Sequence, residues 1–312
     1  MPLTRRSALR GAAGLAAGLG GVVALAGCGA GTPEPPSRFR LATGPAGAVY
    51  REIGQAYAGV LDEAWGRDVV EVVYTDAAVE NARMLAAGEA EMALVNTDVA
   101  AAYPDELRAL ARVFDSVLHL VVPGDSPVRS LADLEGRTVA AGLEESGTRF
   151  VLDRLLAYAG VTAQVRTLTQ EDSVAALVDG EVEVAVSLTG MPTPAVVQLA
   201  DDPRPTRLVD LAAELGGVTD AFPLDYFPVV VPATMYPPMA AATALAVPTL
   251  LVVPTDCDDE VARFCVDVLF ARATELSRVR GEASQINPRT GAATTPIALH
   301  PGARDWFRDR KP

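Results

Sequence analysis

Gly88-Glu89-Ala90-Glu91-Met92-Ala93-Leu94-Val95 is echoed later in the chain by Gly180-Glu181-Val182-Glu183-Val184-Ala185-Val186. Each copy follows a Leu-containing helix end and closes it with glycine, the residue that tolerates the left-handed backbone found just past helix C-termini. An apolar run of strand type comes next, and then a polar loop. Any helix-to-strand junction shares some of these traits, so the weight of the match lies in what surrounds it.

Around the first copy, Phe39 to Ala42 reads as a strand and Thr43 to Gly47 as a glycine-rich turn. Val49, Ile53, Tyr57, Val60 and Leu61 then form a helical stripe. Glu71 to Tyr74 is a second strand, Val79 to Ala87 a helix, and Met92 to Val95 a third strand. Around the second copy the order recurs: strand Thr138 to Ala141, turn Glu144 to Thr148, helix Phe150 to Tyr158, strand Gln164 to Leu168, helix Ser173 to Val178, strand Val182 to Val186. Such βαβαβ units build parallel sheets covered by helices. Leu118 to Val122, ending in Pro123-Gly124-Asp125, reads as a crossover between the two units, and Leu250 to Val253 as a second crossover that returns the chain. A helix over Asp258 to Leu276 and a short one after Leu299-His300-Pro301-Gly302 complete the pattern.

The expected fold class is therefore α/β with two lobes. The first comprises residues 38–122 and 250–312 with the C-terminal helices, and the second, with the return crossover, residues 123–249. Ligands of open α/β sheets bind beyond the carboxyl ends of the strands, so facing lobes would bind between them.

The N-terminus carries an address. Arg5, Arg6 and Arg10 precede an apolar run from Gly11 to Ala26, and Leu25-Ala26-Gly27-Cys28 is a lipoprotein processing box. That run is about sixteen residues and glycine-rich, short of the ~20 a spanning helix needs. Residues 1–27 are expected to be a signal peptide, and 28–37 a stalk lipidated on Cys28, rich in Gly and Pro and too polar to bury a core. Arg5-Arg6 also fits a twin-arginine signal, and ordinary secretory signals begin similarly, so both export routes stay open. The protein is expected outside the cytoplasm, held to the outer face of the cell membrane by its lipid.

Composition narrows the function classes. The formal charge is −14 and becomes −17 once Arg5, Arg6 and Arg10 leave with the signal peptide. A surface so acidic argues against nucleic acid, whose binding needs clustered Lys and Arg. His119 and His300 are the only histidines, and no Cys/His/Asp grouping has zinc or haem spacing, so no metal or cofactor is expected. Cys257 and Cys265 would sit too far apart on one helix for a disulfide, which predicts free thiols.

Five polar loops fall at expected strand ends: Thr43 to Gly47, Thr75-Asp76-Ala77-Ala78, Asn96-Thr97-Asp98, Glu144 to Thr148, and Ser187-Leu188-Thr189-Gly190. Several lead into helices, whose first-turn N–H groups attract carboxylates or phosphates. Each loop alone also reads as an ordinary capped turn. Together they nominate Asp76, Asn96, Thr97 and Thr189 as ligand contacts.

Thr43-Gly44-Pro45-Ala46-Gly47-Ala48-Val49-Tyr50, Val79-Glu80-Asn81 with Leu85, the Gly88 to Val95 segment, Leu131-Ala132-Asp133-Leu134-Glu135-Gly136-Arg137, Ser146-Gly147-Thr148 and Leu299 to Ala303 occur in collinear order. This set resembles the TAXI family, the substrate-binding proteins of tripartite ATP-independent periplasmic (TRAP) transporters. The resemblance implies a type II periplasmic-binding-protein-like clamshell. It also implies a monomeric receptor, not an enzyme, that hands a small organic acid or amino acid of glutamate-like class to an ion-gradient-driven permease. Carried across residue by residue, it points to Thr43, Gly44, Gly47, Tyr50, Asn81, Ser146, Gly147 and Thr148 as ligand-binding. Tyr50 reads equally as a core aromatic, and Asn81 equally as a cap. Ala77-Ala78 replaces the family's usual glycine and serine, and Glu144-Glu145 its usual Pro and Gly.

No loop offers an arginine clamp, since Arg51 and Arg149 lie just inside helices and read as solvated. A carboxylate would be held by backbone N–H groups and hydroxyls, with Asp76 or Glu144 available for an ammonium group. The expected ligand is a small zwitterion or hydroxylated acid rather than a dianion. Two other readings compete. An exported ligand sensor feeding a signalling partner needs the same clamshell. A hydrolase is disfavoured because Ser146 lacks an assignable base and no Gly-x-Ser-x-Gly elbow occurs.

Overall fold

The computed structural model describes residues 32–310, and from Thr32 onward the chain forms one compact unit. The signal peptide, Cys28 and the first part of the stalk lie outside the described residues, while Thr32 to Ser37 carries no helix or strand.

The first half runs β1 (Phe39–Ala42), α1 (Val49–Trp65), β2 (Val70–Val73), α2 (Ala78–Ala86), β3 (Met92–Asn96), α3 (Thr97–Ala100) and the long β4 (Leu107–Pro123). The second repeats the rhythm with β5 (Thr138–Ala140), α4 (Gly147–Ala159), β6 (Gln164–Arg166), α5 (Gln170–Val178) and β7 (Val184–Thr189). There follow α6 (Pro194–Asp201), β8 (Thr206–Leu208), α7 (Ala212–Ala221), β9 (Phe227–Val231) and the returning β10 (Ala242–Pro254). The chain closes with α8 (Asp259–Ala271), α9 (Ala273–Val279), α10 (Pro288–Gly291) and α11 (Pro301–Asp309).

All strands join one sheet in the order β2-β1-β3-β10-β4-β7-β5-β6, with β8 on β4 and β9 on β10. Its two ends mirror each other. β1 pairs in parallel with β2 and β3, and β5 in parallel with β6 and β7. β10 runs antiparallel to β3, and β4 antiparallel to β7. The two echoing segments thus occupy equivalent places: Met92 to Val95 enters β3 and Val184 to Val186 enters β7.

β4 and β10 pair with each other along most of their length and carry the chain from one core to the other. One core gathers Leu41, Ile53, Tyr57, Phe114, Leu250 and Trp306; the others hold Leu120, Leu152, Val186, Leu245, Val196 and Tyr236. The change occurs between Phe114 and Val117 on β4 and between Val247 and Leu250 on β10, beside a β-bulge at Thr249/Leu250.

Several boundaries differ from the sequence reading. β4 starts at Leu107, well before the apolar run at Leu118. Arg108, Arg112 and Asp115 break that run, yet they satisfy themselves locally. The Arg108 Nη1 donates to the Pro104 and Leu107 carbonyls, and Arg112 pairs with Asp115. β10 starts at Ala242 and runs through Pro248, which sits next to the bulge where a missing N–H is tolerated. The helix expected over Asp258 to Leu276 breaks at Arg272, whose φ of −103° and ψ of 8° separate α8 from α9. Ser187 to Thr189 is not a loop but the buried end of β7, paired with His119 to Val117 of β4. Cys257 and Cys265 are free thiols, and burial pushes the Cys257 pKa up to about 12. Among the described residues no helix is long and apolar enough to cross a membrane.

Candidate functional site

A cleft of about 520 Å³, mouth included, opens between the two lobes. The first lobe contributes Pro45, Ala48, Tyr50, Asp76, Ala77, Ala78 and Asn96; the second contributes Gly142, Ser146, Gly147, Thr148, Thr169, Gln170 and Thr189. These residues lie at strand ends, at helix starts or in the turns that join them, the geometry that parallel strands impose.

Behind two of the wall residues, Tyr50 and Asn96, lies a set of buried hydroxyls on the crossover strands. Thr249 of β10 meets the Tyr50 hydroxyl at 3.2 Å and the Ser116 hydroxyl at 2.9 Å, and accepts from the Asn96 amide at 3.2 Å. Tyr50 stays protonated because burial raises its pKa far above the usual value. The Asn96 side chain is 2% exposed, and its Oδ1 accepts no hydrogen bond from the described residues. That oxygen lies 2.6 Å from where a Cβ on Gly147 would stand, so the lobes touch at this level and only glycine fits.

The second lobe presents the start of α4. The Ser146 hydroxyl caps it by accepting from the Arg149 amide, and the Ser146 carbonyl accepts from the Phe150 amide. The Gly147 and Thr148 amides have no acceptor among the described residues and stand at the cleft wall, where the helix's partial positive charge favours an anion. The Thr148 hydroxyl accepts from the Leu188 amide, which fixes β7 against α4.

The two lobes are shut against each other. The Val79 and Glu80 amides of α2 both donate to the Glu145 carbonyl, and Arg83 pairs with the Glu145 carboxylate. Deeper in, the Tyr226 hydroxyl donates at 2.8 Å to Asp98, whose side chain has no exposed surface. Arg154 of α4 donates to Asp225 and to Tyr226, and its guanidinium lies 3.9 Å from Asp98 and 4.2 Å over the Phe222 ring. Burial outweighs these partners and pushes the Asp98 pKa up to about 6.

The residues nominated from sequence divide between wall and frame. Tyr50, Asp76, Asn96, Ser146, Gly147, Thr148 and Thr189 line the cleft. Thr43, Gly44, Gly47, Asn81 and Thr97 do not. Thr43 is wholly buried and donates to the Val73 carbonyl. Asn81 is neither cap nor wall: its amide donates to the Thr43 and Leu94 carbonyls and its Oδ1 accepts from Thr75, a brace across β1, α2 and β3. Gly44 and Gly47 shape the turn that carries Pro45 and Ala48 inward; Gly47 has a φ of +73°. Thr97 is buried with a hydroxyl that has no partner among the described residues. Glu144 is exposed and turned outward to Thr167 and Arg149, and is not in the wall. Arg51 lies 3.6 Å over the Tyr74 ring and Arg149 pairs with Asp153.

Sequence reasoning missed Thr249 and Ser116. Both sit inside apolar strands rather than loops, and an isolated hydroxyl in such a run was their one signal. Neither histidine approaches Ser146. His119 contacts the Val117 carbonyl, Thr193 and Tyr236, and burial lowers its pKa to about 4, while His300 caps α11 and contacts the Cys257 carbonyl.

The model of the NMT1-like family matches residues 41–310, and the chain belongs to that family. Among solved structures it is similar to the periplasmic aliphatic sulphonate binding protein SsuA from Escherichia coli, at 17% identity over 89% of this chain and 84% of that one, with a TM-score of 0.51. XAC2383 from Xanthomonas citri bound to chloride ion matches at 15% identity over 88% and 96%, with a TM-score of 0.53. A putative L-cystine ABC transporter from Listeria monocytogenes matches at 12% identity over 78% and 94%, with a TM-score of 0.52. At such identities the likeness is one of fold, and the fold is α/β and periplasmic-binding-protein-like.

Proposed function

We propose that this member of the NMT1-like family is an extracytoplasmic solute receptor that closes its lobes over a small organic acid or amino acid and delivers it to a TRAP-type permease. The observation that carries the reading is the cleft: its wall draws about equally on both lobes, so a bound solute would tie them together. The collinear TAXI-like motifs from Phe39 to Phe307 support the permease partner. The lipoprotein box supports a tether through Cys28, which raises the receptor's concentration at the membrane. The lobes proposed to close are residues 38–122 with 250–312 and residues 123–249.

Native mass spectrometry of the full chain as purified tests the receptor reading. A bound mass matching an organic acid or amino acid is expected. A cleft that carries nothing and takes up nothing from a mixture of such metabolites would sink it. Loss of membrane pelleting in Cys28→Ser tests the tether, and loss of solute uptake on deleting an adjacent polytopic permease gene tests the partner.

A further inference from the structure

We propose that Asp76 makes this cleft a site for a net-neutral amino acid, one carboxylate and one ammonium group, and excludes dicarboxylates; the proposal rests on the receptor reading above. The argument is a charge count along the wall. Among the described residues no Lys, Arg or His lines the cleft, and Asp76 is the one carboxylate in its lining. The arginines of the flanking segments lie outside that lining and are engaged there, although Arg51 has no carboxylate partner among the described residues and the buried Arg280 Nε has no hydrogen-bond partner. Arg51 stacks on Tyr74, Arg83 pairs with Glu80 and Glu145, Arg149 with Glu144 and Asp153, Arg154 with Asp225, and Arg280 with Glu52 and Glu282.

A second carboxylate on a ligand would therefore enter a closing, water-poor space with no cation to meet it. Burying an unpaired charge costs several kcal/mol, more than hydroxyl contacts return. One carboxylate is provided for at the opposite wall. The unpaired Gly147 and Thr148 amides open a helix of 13 residues. The nine-tenths-buried hydroxyls of Thr148 and Thr189 stand beside them.

The ammonium end is provided for on the first lobe. Among the described residues the Asp76 carboxylate has neither an ion-pair partner nor a hydrogen-bond donor; only its own amide is engaged, donating to Glu80. The Oδ1 of Asn96, a residue 2% exposed, is a second acceptor that lacks a donor among the described residues. Two acceptors on one lobe face donors on the other, and a zwitterion matches that polarity. Ala78 of the first lobe lies 3.3 Å from the position of a Gly147 Cβ, so the two walls already meet beside the helix start.

Thermal-shift and calorimetric titration of the full chain would use glycine and the uncharged L-amino acids, with succinate, L-glutamate and L-lactate as contrasts. At least one uncharged amino acid is expected to bind, and succinate is not. In Asp76→Asn that affinity should fall roughly tenfold to a hundredfold, the worth of a hydrogen bond to a charged group. L-lactate, which lacks the ammonium group, should bind Asp76→Asn at least as well as the parent. Succinate binding as tightly as the best amino acid would overturn the proposal, and so would an Asp76→Asn variant with unchanged amino-acid affinity. A co-purifying dicarboxylate would overturn it too while leaving the receptor reading intact, which separates the two failures.

Discussion

Asp98→Asn isolates the carboxylate buried between the lobes. In the folded chain the Asp98 pKa stands at about 6 against an ordinary 3.8, with burial as the main cause. Because the folded value is raised, the stabilisation from protonating this group is complete below pH 3.8 and disappears as pH rises through 6. At about 1.4 kcal/mol per pH unit, the charged form costs the folded chain roughly 3 kcal/mol at pH 7 relative to pH 4. Asparagine keeps the shape and an acceptor for Tyr226 and never carries the charge. The Tyr226 bond is already part of that net shift, but the new NH2 stands against the Val99 amide that donated to the second Asp98 oxygen, at a cost of about 1 kcal/mol. The variant should thus be about 1 to 2 kcal/mol more stable than the parent at pH 7, and equal or slightly weaker at pH 4. Urea unfolding of both proteins from pH 4 to pH 8 measures this, and the difference cancels the carboxylates they share. A stability difference that stays flat across that range, or one that favours the parent more strongly at pH 7 than at pH 4, would refute the argument.

Three further outcomes follow from the cleft. Ala77 holds a φ of 103°, conformational space that belongs to glycine. Relief of about 1 to 3 kcal/mol of strain, less about 1 kcal/mol of glycine entropy, should make Ala77→Gly more stable by about 1 kcal/mol, or about 2 °C in Tm; a lowered Tm would contradict it. Gly147→Ala would place a Cβ 2.6 Å from the Asn96 Oδ1 and wedge the lobes apart. Faster hydrogen exchange at the Val79 and Glu80 amides, now bonded to Glu145, is the sign to look for, and unchanged protection would count against it. Thr249→Val keeps the volume and strips the hydroxyl that serves Tyr50, Ser116 and Asn96, at a cost of about 2 to 3 kcal/mol seen as a shifted urea midpoint. A midpoint within error of the parent would remove the buried hydroxyl network behind the cleft from the account.

The duplicated α/β rhythm was legible because periodicity and glycine stops are local signals, written within a dozen residues of where they act. Gly88 and Gly180 both adopt the left-handed conformation that the sequence pattern implies, with φ of +69° and +74°. The cleft loops were legible for the same reason, since strand ends and helix starts announce themselves in Gly, Ser, Thr and Asn. The family assignment rests on more than any one of these, because each short motif by itself also suits an ordinary turn.

Which polar residue faces the cleft was a different matter. Asn81 and Asn96 look alike in sequence, each beside a helix or strand end, yet one spends its NH2 on two backbone carbonyls and its oxygen on the Thr75 hydroxyl, and the other keeps an oxygen free. Glu144 and Asp76 are both loop carboxylates, and only the packing of Arg149 and Thr167 turns the first outward. Thr249 and Ser116 come from strands 133 residues apart and meet only because β10 returns antiparallel on β4. Asp98, Tyr226 and Arg154 likewise lie on three separated segments, so the burial that shifts Asp98 exists only once both lobes are in place. Sequence by itself determined the elements and their repetition, because backbone preference is local. Side-chain orientation, charge pairing and desolvation are sums over neighbours distant in the chain, and those the tertiary structure alone decided.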